Sequence, residues 1–423
     1  MKKSVSFLMC ACMTASLLAG CGSTKNSDTQ GQEGTTVLKM WSQATKSNPL
    51  HNAYSKAIKE FEDENPGVKI ELETFDGESY KTKLKSSVAA NELPDIFMSW
   101  GAGWSQSFVD SGKILDMTPY YEEYKAELPE KYMTFTTYDE KVYGIPFMAS
   151  ISLMFYNKKM FEEQGVEVPE TYEELVSVCR QFIDKGITPL AVSAKEAWVI
   201  AMIHDAIALK TAGPEKVKNV LTKNGQSYND EDFLLAAERF CELIEMGAFS
   251  EGATGISMDE AQAAVTNEQI PILINGSWVA GSLEATDIAD HFEIAPFPTC
   301  GDNAEITDYM GGAVDMFMVS KDTPDPDLAA KATFEIAKKI SKYGYLDGAA
   351  VPIWEKDYDD SEVDRLMRRT AELMEESTTL TIWFNTLLEA DDAGEYEALL
   401  QELYAGNITP DEFVKSMSDK LKK

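Results

Sequence analysis

Histidine and cysteine are scarce. The 423 residues hold three histidines (His51, His204, His291) and six cysteines, with no CxxC spacing among them. HExxH, GxSxG and GxxxxGK[ST] are all missing, so the usual zinc-protease, serine-hydrolase and phosphate-loop readings have no anchor. Asp357-Tyr358-Asp359-Asp360 begins like a calcium loop, but Glu362 stands where such a loop needs glycine and no glutamate closes it. It reads as a solvated acidic linker. Positive charge is short as well: 38 Lys and Arg face 71 Asp and Glu, a formal charge of −33. Nucleic-acid binding needs a basic face, so no nucleic-acid partner is expected. The acidity suits a soluble extracellular protein. After the first residues no apolar run reaches the roughly 18–20 residues of a spanning helix. Catalytic residues, cofactor and metal ligands are therefore all assigned as none.

The N-terminus is different. Lys2 and Lys3 precede an apolar stretch, Ser4 to Leu18, and Leu18-Ala19-Gly20 leads directly to Cys21. Residues 1–20 have the form of an export signal. A cysteine immediately after the small residues is what a bacterial lipoprotein signal requires, because its thiol takes the diacylglyceryl chain. Cys21 is expected to be lipidated and to hold the protein on the outer face of the cell membrane. Gly22 to Thr36 (GSTKNSDTQGQEGTT) has no aliphatic or aromatic residue, so residues 21–36 read as a flexible tether. Loss of Lys2 and Lys3 with the signal takes the formal charge from −33 to −35. Cys179, Cys241 and Cys300 then remain, and buried free thiols are expected, with one disulfide left open.

From Val37 the composition is globular, with 44% hydrophobic and 10% aromatic residues over the whole chain. The length exceeds one typical core, so two domains are expected. Val37–Trp41 reads as a strand, His51–Glu64 as a helix through Tyr54, Ile58 and Phe61, and Val68–Leu72 as a strand. Ser79–Asn91 is helical, and Asp95–Ser99 is a third strand. This β-α-β-α-β order predicts an α/β fold with mostly parallel sheets. Farther on, Thr171-Tyr172-Glu173-Glu174 is a capping box. Asp230–Met246 is helical, and Ile270–Ile274 and Phe292–Pro296 are strands. Asp325-Pro326 and Thr409-Pro410 start the last helices in this reading.

Seven tryptophans carry the functional signal. Trp100 follows the strand Asp95–Ser99 and precedes Gly101, Trp278 follows Asn275-Gly276-Ser277, and Trp198 follows Glu196-Ala197. Ligands of open α/β sheets bind beyond the carboxyl ends of strands. A tryptophan there can stack on the C–H face of a sugar ring while nearby Asp, Asn, Gln or Glu meet the hydroxyls. Trp41, inside a strand, reads as core. Trp104 and Trp354 read either way, and Trp100, Trp198, Trp278 and Trp383 read as binding residues.

Several segments then appear in a telling order: LKMWSQ (38–43), FEDENPGVKIE (61–71), LPDIFMSW (93–100), YGIPF (143–147), LMFYNKKMFEEQGVEVPETYEEL (153–175), PILINGSW (271–278), IAPFP (294–298) and VSKDTPDPDLAAKATFEIAKKI (319–340). With them the chain from Val37 onward resembles the extracellular solute-binding lipoproteins of carbohydrate ABC importers, the family of maltose-binding protein. The resemblance implies a two-lobed periplasmic-binding-protein-like fold with hinge-linked lobes. Lobe 1 would be 37–147 plus 314–356, and lobe 2 would be 148–313 plus 357–423. It implies a carbohydrate ligand, an ABC permease as partner, a monomer and no enzymatic step. By position it implies a ligand site of Gln43, Asp95, Trp100, Ser150, Glu196, Trp198, Trp278, Gly312 and Trp383, with Gly311-Gly312 at a hinge crossing. Two departures argue against maltose itself: the Ser42-Gln43-Ala44-Thr45 loop lacks the charged pair of that branch, and Ser150 replaces a hinge-side glutamate. The alternatives are an exported lipid-anchored carbohydrate-active enzyme, or the same fold with a non-sugar solute.

Overall fold

Strands and helices alternate at the start because the apolar period does. The computed structural model describes residues 35–422; the export signal, Cys21 and all but the last residues of the tether lie outside the described residues. Two sheets are formed by β1 (Thr36–Ser42), β2 (Val68–Thr74), β3 (Ile96–Trp100), β4 (Ile145–Pro146), β5 (Ser150–Asn157), β6 (Leu190–Ala191), β7 (Ile272–Gly276), β8 (Phe292–Ala295), β9 (Asp308–Gly312), β10 (Asp315–Val319) and β11 (Thr379–Thr381). The helices that matter for the site are α1 (His51–Glu64), α2 (Gly77–Ala90), α3 (Tyr172–Ile183), α4 (Ala197–Ala212), α5 (Glu231–Glu245), α6 (Pro326–Leu346), α7 (Phe384–Leu387), α8 (Ala390–Tyr404) and α9 (Pro410–Leu421).

The first sheet has the order β2-β1-β3-β10-β4. α1 buries Tyr54, Ala57, Ile58 and Phe61, spaced to form one face, and ends at Asn65-Pro66-Gly67, where Gly67 takes φ +92°. A left-handed residue here suits glycine. α6 packs beside α1. It starts at Asp325, whose side chain accepts from Leu328 N, with Pro326 in the first turn.

The second sheet runs β11-β9-β5-β7-β6, with β8 also on β5. β1, β2 and β3 form the expected run of parallel strands, and β6 with β7 and β9 with β11 are parallel pairs in the second sheet. β10 lies antiparallel to β3 and β4, and β5 is antiparallel to β7, β8 and β9. Part of the reason is how the chain crosses between sheets. It passes from first to second through Phe147–Ala149 and returns through Ala313-Val314. Two crossings in opposite senses place Gly312 opposite Ser150 and Gly311 opposite Ile151 in an antiparallel pair. Ala149 and Val351 exchange both backbone hydrogen bonds at 3.0 Å, bringing a third segment to the crossing.

α4 is the axis of the second lobe. Every residue from Val199 to Ala212 is buried, with α5 and α8 alongside and β7 and β9 beneath. α3 and α9 start at reciprocal capping boxes, Thr171 with Glu174 and Thr409 with Glu412. Cys179, Cys241 and Cys300 are free thiols, with Cys241 only part-buried. Burial pushes the Cys179 and Cys300 thiols up to about 12 and makes them unreactive. Among the described residues, no helix is long and apolar enough to cross a membrane.

Candidate functional site

At the carboxyl end of β3, Trp100 is half-buried. Its ring meets the edge of Trp104 at 4.9 Å between centroids and of Tyr80 at 6.2 Å. Trp104 is 4% exposed and rests on Phe108, so it supports Trp100 rather than presenting a face of its own. Trp41, the last residue but one of β1, has Phe75 against its ring and the Lys83 ammonium 4.1 Å from its ring centre. One face is thereby taken by a cation. Trp354 is core, its indole N–H donating to Pro146 O at 3.1 Å. Gln43 lies in the loop after β1 with its amide beside Gly77 at the start of α2.

The other three tryptophans form a row in the second lobe. Trp278 sits in the turn Ser277–Val279 that follows β7. Its ring folds back over Gly276, where any Cβ would run into it. Trp198, in the first turn of α4, lies 6.2 Å away between centroids, and Trp383, just before α7, lies 5.9 Å away. The Trp383 indole nitrogen is buried with no protein partner. Glu196 precedes α4. Its backbone N–H donates to Ser193 Oγ at 3.2 Å, and its own Oε1 accepts from Met258 N at 3.1 Å.

Contacts join the two groups. Gly103, in the turn after Trp100, presses against the Leu387 and Leu388 backbone at the end of α7. Phe135 O accepts from Ala102 N at 2.7 Å. The Phe135 ring and the Ile382 side chain, next to Trp383, reach within 3.8 and 3.7 Å of where a Gly312 Cβ would stand. Gly312 at φ +150° and Gly311 at +143° need glycine's freedom, and Gly311 also leaves no room for a Cβ against Ser150 O. The Ser150 hydroxyl is buried without a partner. Trp100, Phe135, Gly312, Trp383, Trp278 and Trp198 thus follow one another around the region where the sheets are joined.

Asp315 completes it. It opens β10 directly opposite Trp100 and is part-buried. Burial pushes its carboxyl up to about 7. Sequence reasoning passed over Asp315 and Phe135. A lone carboxylate inside the apolar run Ala313–Val319 was the available signal for the first; the second had none. Asp95, by contrast, does not join the site. It precedes β3 at the end away from Trp100, and its carboxylate accepts from Lys39 N at 2.8 Å and Thr323 Oγ1 at 2.7 Å. It is a sheet staple.

Across the lobes, Lys81 of α2 reaches Glu397 of α8 at 3.5 Å. Lys85 donates to Ala390 O at 2.8 Å and lies 3.4 Å from Asp391. Among the described residues, no cluster of three or more His, Cys, Asp or Glu is arranged to hold a metal ion.

Comparison with known proteins places this geometry. The family model of the bacterial extracellular solute-binding proteins matches residues 47–349. The multiple sugar-binding protein of Streptococcus mutans is 26% identical over 358 residues, 83% of each chain. An uncharacterized ABC transporter extracellular-binding protein of Pyrococcus horikoshii is 25% identical over 356 residues, 80% of this chain and 77% of its own. A solved structure from work on xylan utilization by the thermophilic bacterium Caldanaerobius polysaccharolyticus superposes with TM-score 0.87 at 32% identity, covering 91% of this chain and 99% of that one. With its two-lobed fold, the chain belongs to the family of bacterial extracellular solute-binding proteins.

Proposed function

We propose that this protein is a sugar-binding receptor, anchored by a lipid on Cys21 to the outer face of the cell membrane, that delivers a mono- or oligosaccharide to the permease of an ABC importer. The carrying observation is the aromatic row Trp198–Trp278–Trp383 joined to Trp100 through the crossing region. Flat aromatic faces with a few polar groups suit sugar rings, which offer C–H faces and hydroxyl edges. Gln43, Glu196, Asp315 and the Trp383 indole N–H supply those polar groups, with Ser150 and Gly312 behind them. The names of the relatives, with multiple sugars and an ABC transporter among them, point the same way.

In this reading 37–147 plus 314–356 and 148–313 plus 357–423 are rigid lobes that close about the crossings. A sugar touches both lobes only when they are closed, so it favours that state by its differential affinity. Moving a two-state equilibrium from 1:99 to 99:1 takes about 5.5 kcal/mol. The role asks for no chemical step. The flexible tether after Cys21 raises the receptor's effective concentration at the permease.

The test is titration of the purified protein with a panel of mono- and oligosaccharides, followed by tryptophan emission and small-angle scattering. A saturable emission change with a smaller radius of gyration is expected for at least one sugar. No response to any of them would sink the sugar assignment. Cys21→Ala should abolish incorporation of labelled fatty acid and release the protein from membranes; retained label would overturn the anchor.

A further inference from the structure

α7 is only four residues long, Phe384–Leu387. A helix that short cannot hold itself, yet its leading residue is Trp383, with φ −49° and ψ 139° and no side-chain cap of its own. The missing cap comes from the middle of α4. Asp205 Oδ2 accepts from Phe384 N at 3.0 Å. Asp205 is 1% exposed, and burial pushes its carboxyl up, so its place among apolar side chains is costly unless its oxygens are bonded. The other oxygen is met by the Tyr396 hydroxyl, and His204 Nδ1 stands 2.9 Å from that same hydroxyl oxygen. Every donor faces inward in order: His204 N–H to Tyr396 oxygen, Tyr396 O–H to Asp205, Phe384 N–H to Asp205. In this order His204 donates through Nδ1, and its Nε2 is buried and unpartnered among the rings of Phe240, Phe384 and Phe413.

We infer that Asp205, held by Tyr396 and His204, is a positioning residue that sets the backbone of Trp383 and thereby the aromatic row. The inference rests on the sugar-receptor reading for its binding consequence, but not for its structural one. Without the carboxylate, Phe384 N–H loses its acceptor and the turn before α7 is free to relax. Trp383 then leaves its place 5.9 Å from Trp278.

The test uses the protein labelled with 5-fluorotryptophan, with the Trp383 fluorine line assigned by its loss in Trp383→Phe. Asp205→Ala is expected to shift or broaden the Trp383 line while those of Trp41 and Trp354 stay fixed. Asp205→Asn keeps an oxygen for Phe384 N–H and should restore the line. Tyr396→Phe, which spares the Phe384 bond, should broaden it partially and serves if Asp205→Ala does not fold. Val178→Ala, at a buried site on α3, controls for lost stability and should leave the line unmoved. Affinity for xylotriose, measured well below the melting temperature, should fall at least about tenfold in Asp205→Ala and recover in Asp205→Asn. An unmoved Trp383 line in folded Asp205→Ala, or in Tyr396→Phe if the former does not fold, overturns the inference. Absence of xylotriose binding by the unmodified protein counts against that ligand alone, because the fluorine line still decides the positioning role.

Discussion

Gly276 and Trp278 show how a residue's role can rest on its neighbour's lack of a side chain. The Trp278 ring occupies the space a Gly276 Cβ would need. Gly276→Ala should therefore turn the ring away and weaken sugar binding roughly 10- to 100-fold, close to the loss expected for Trp278→Ala. Calorimetric titration of both variants checks this; full affinity in Gly276→Ala would show that the ring's position does not matter. Asp315 offers a pH handle. Its carboxyl is raised from an ordinary 3.8 to about 7 by burial. Between those values the folded protein holds a proton that the unfolded chain has released. Stability should then rise as pH falls from about 7 to about 4, and its contribution should be flat above 7, where the charged group is held at full cost. Urea melts across that range should show the slope, and Asp315→Asn should remove it. The same comparison explains why Asp95 misled. In sequence it is near Trp100, but along a strand five residues span about 16 Å, which puts it at the opposite end of the sheet.

Elements were legible where their pattern was local. α3 announces itself by the Thr171–Glu174 box and by Leu175, Val178, Cys179 and Phe182 on one face, and it folds so. Thr171→Ala should cost about 1 kcal/mol in chemical denaturation. α4 gave no such sign. A helix buried on all sides has no polar face, so its sequence AWVIAMIHDAIALKTA carries no stripe to read. Its importance is the greater for that: Ile203→Ala, at 0% exposure, should cost about 2–5 kcal/mol in the same experiment, several times the loss of the cap. Several of the tryptophans stood out in sequence because they sit where a strand ends or a loop turns, beside polar or glycine residues. Asp315 showed only as a lone carboxylate in an apolar run, and Phe135 not at all, because its partners are set by chain crossings that no local pattern encodes. Strand direction in the second sheet was hidden for the same reason.

At the scale of the whole molecule, the question is what decides how tightly the lobes meet. The proposed closure needs a ligand contribution of several kcal/mol, and the direct ties between α2 and α8 are small beside it. Lys81 to Glu397 and Lys85 to Asp391 are ion pairs at 3.5 and 3.4 Å, the second with both partners more than a third exposed. The exposed Lys85–Asp391 pair contributes at most about 1 kcal/mol, and in the more buried Lys81–Glu397 pair desolvation offsets much of the Coulombic gain. The bond from Lys85 to Ala390 O goes with them. They bias closure without setting it. Replacing Lys81 and Lys85 together by alanine should lower sugar affinity by no more than about 30-fold and enlarge the ligand-free molecule in small-angle scattering. Because exposed charges are screened within about 10 Å at 0.1 M salt, the gap in affinity between the unmodified protein and the double variant should narrow as salt is raised. The rest of the ligand's contribution must then come from the aromatic row, which salt does not touch. If the double variant bound as tightly as the unmodified protein at low salt, the α2–α8 ties would be passive contacts, and closure would rest on the sugar alone.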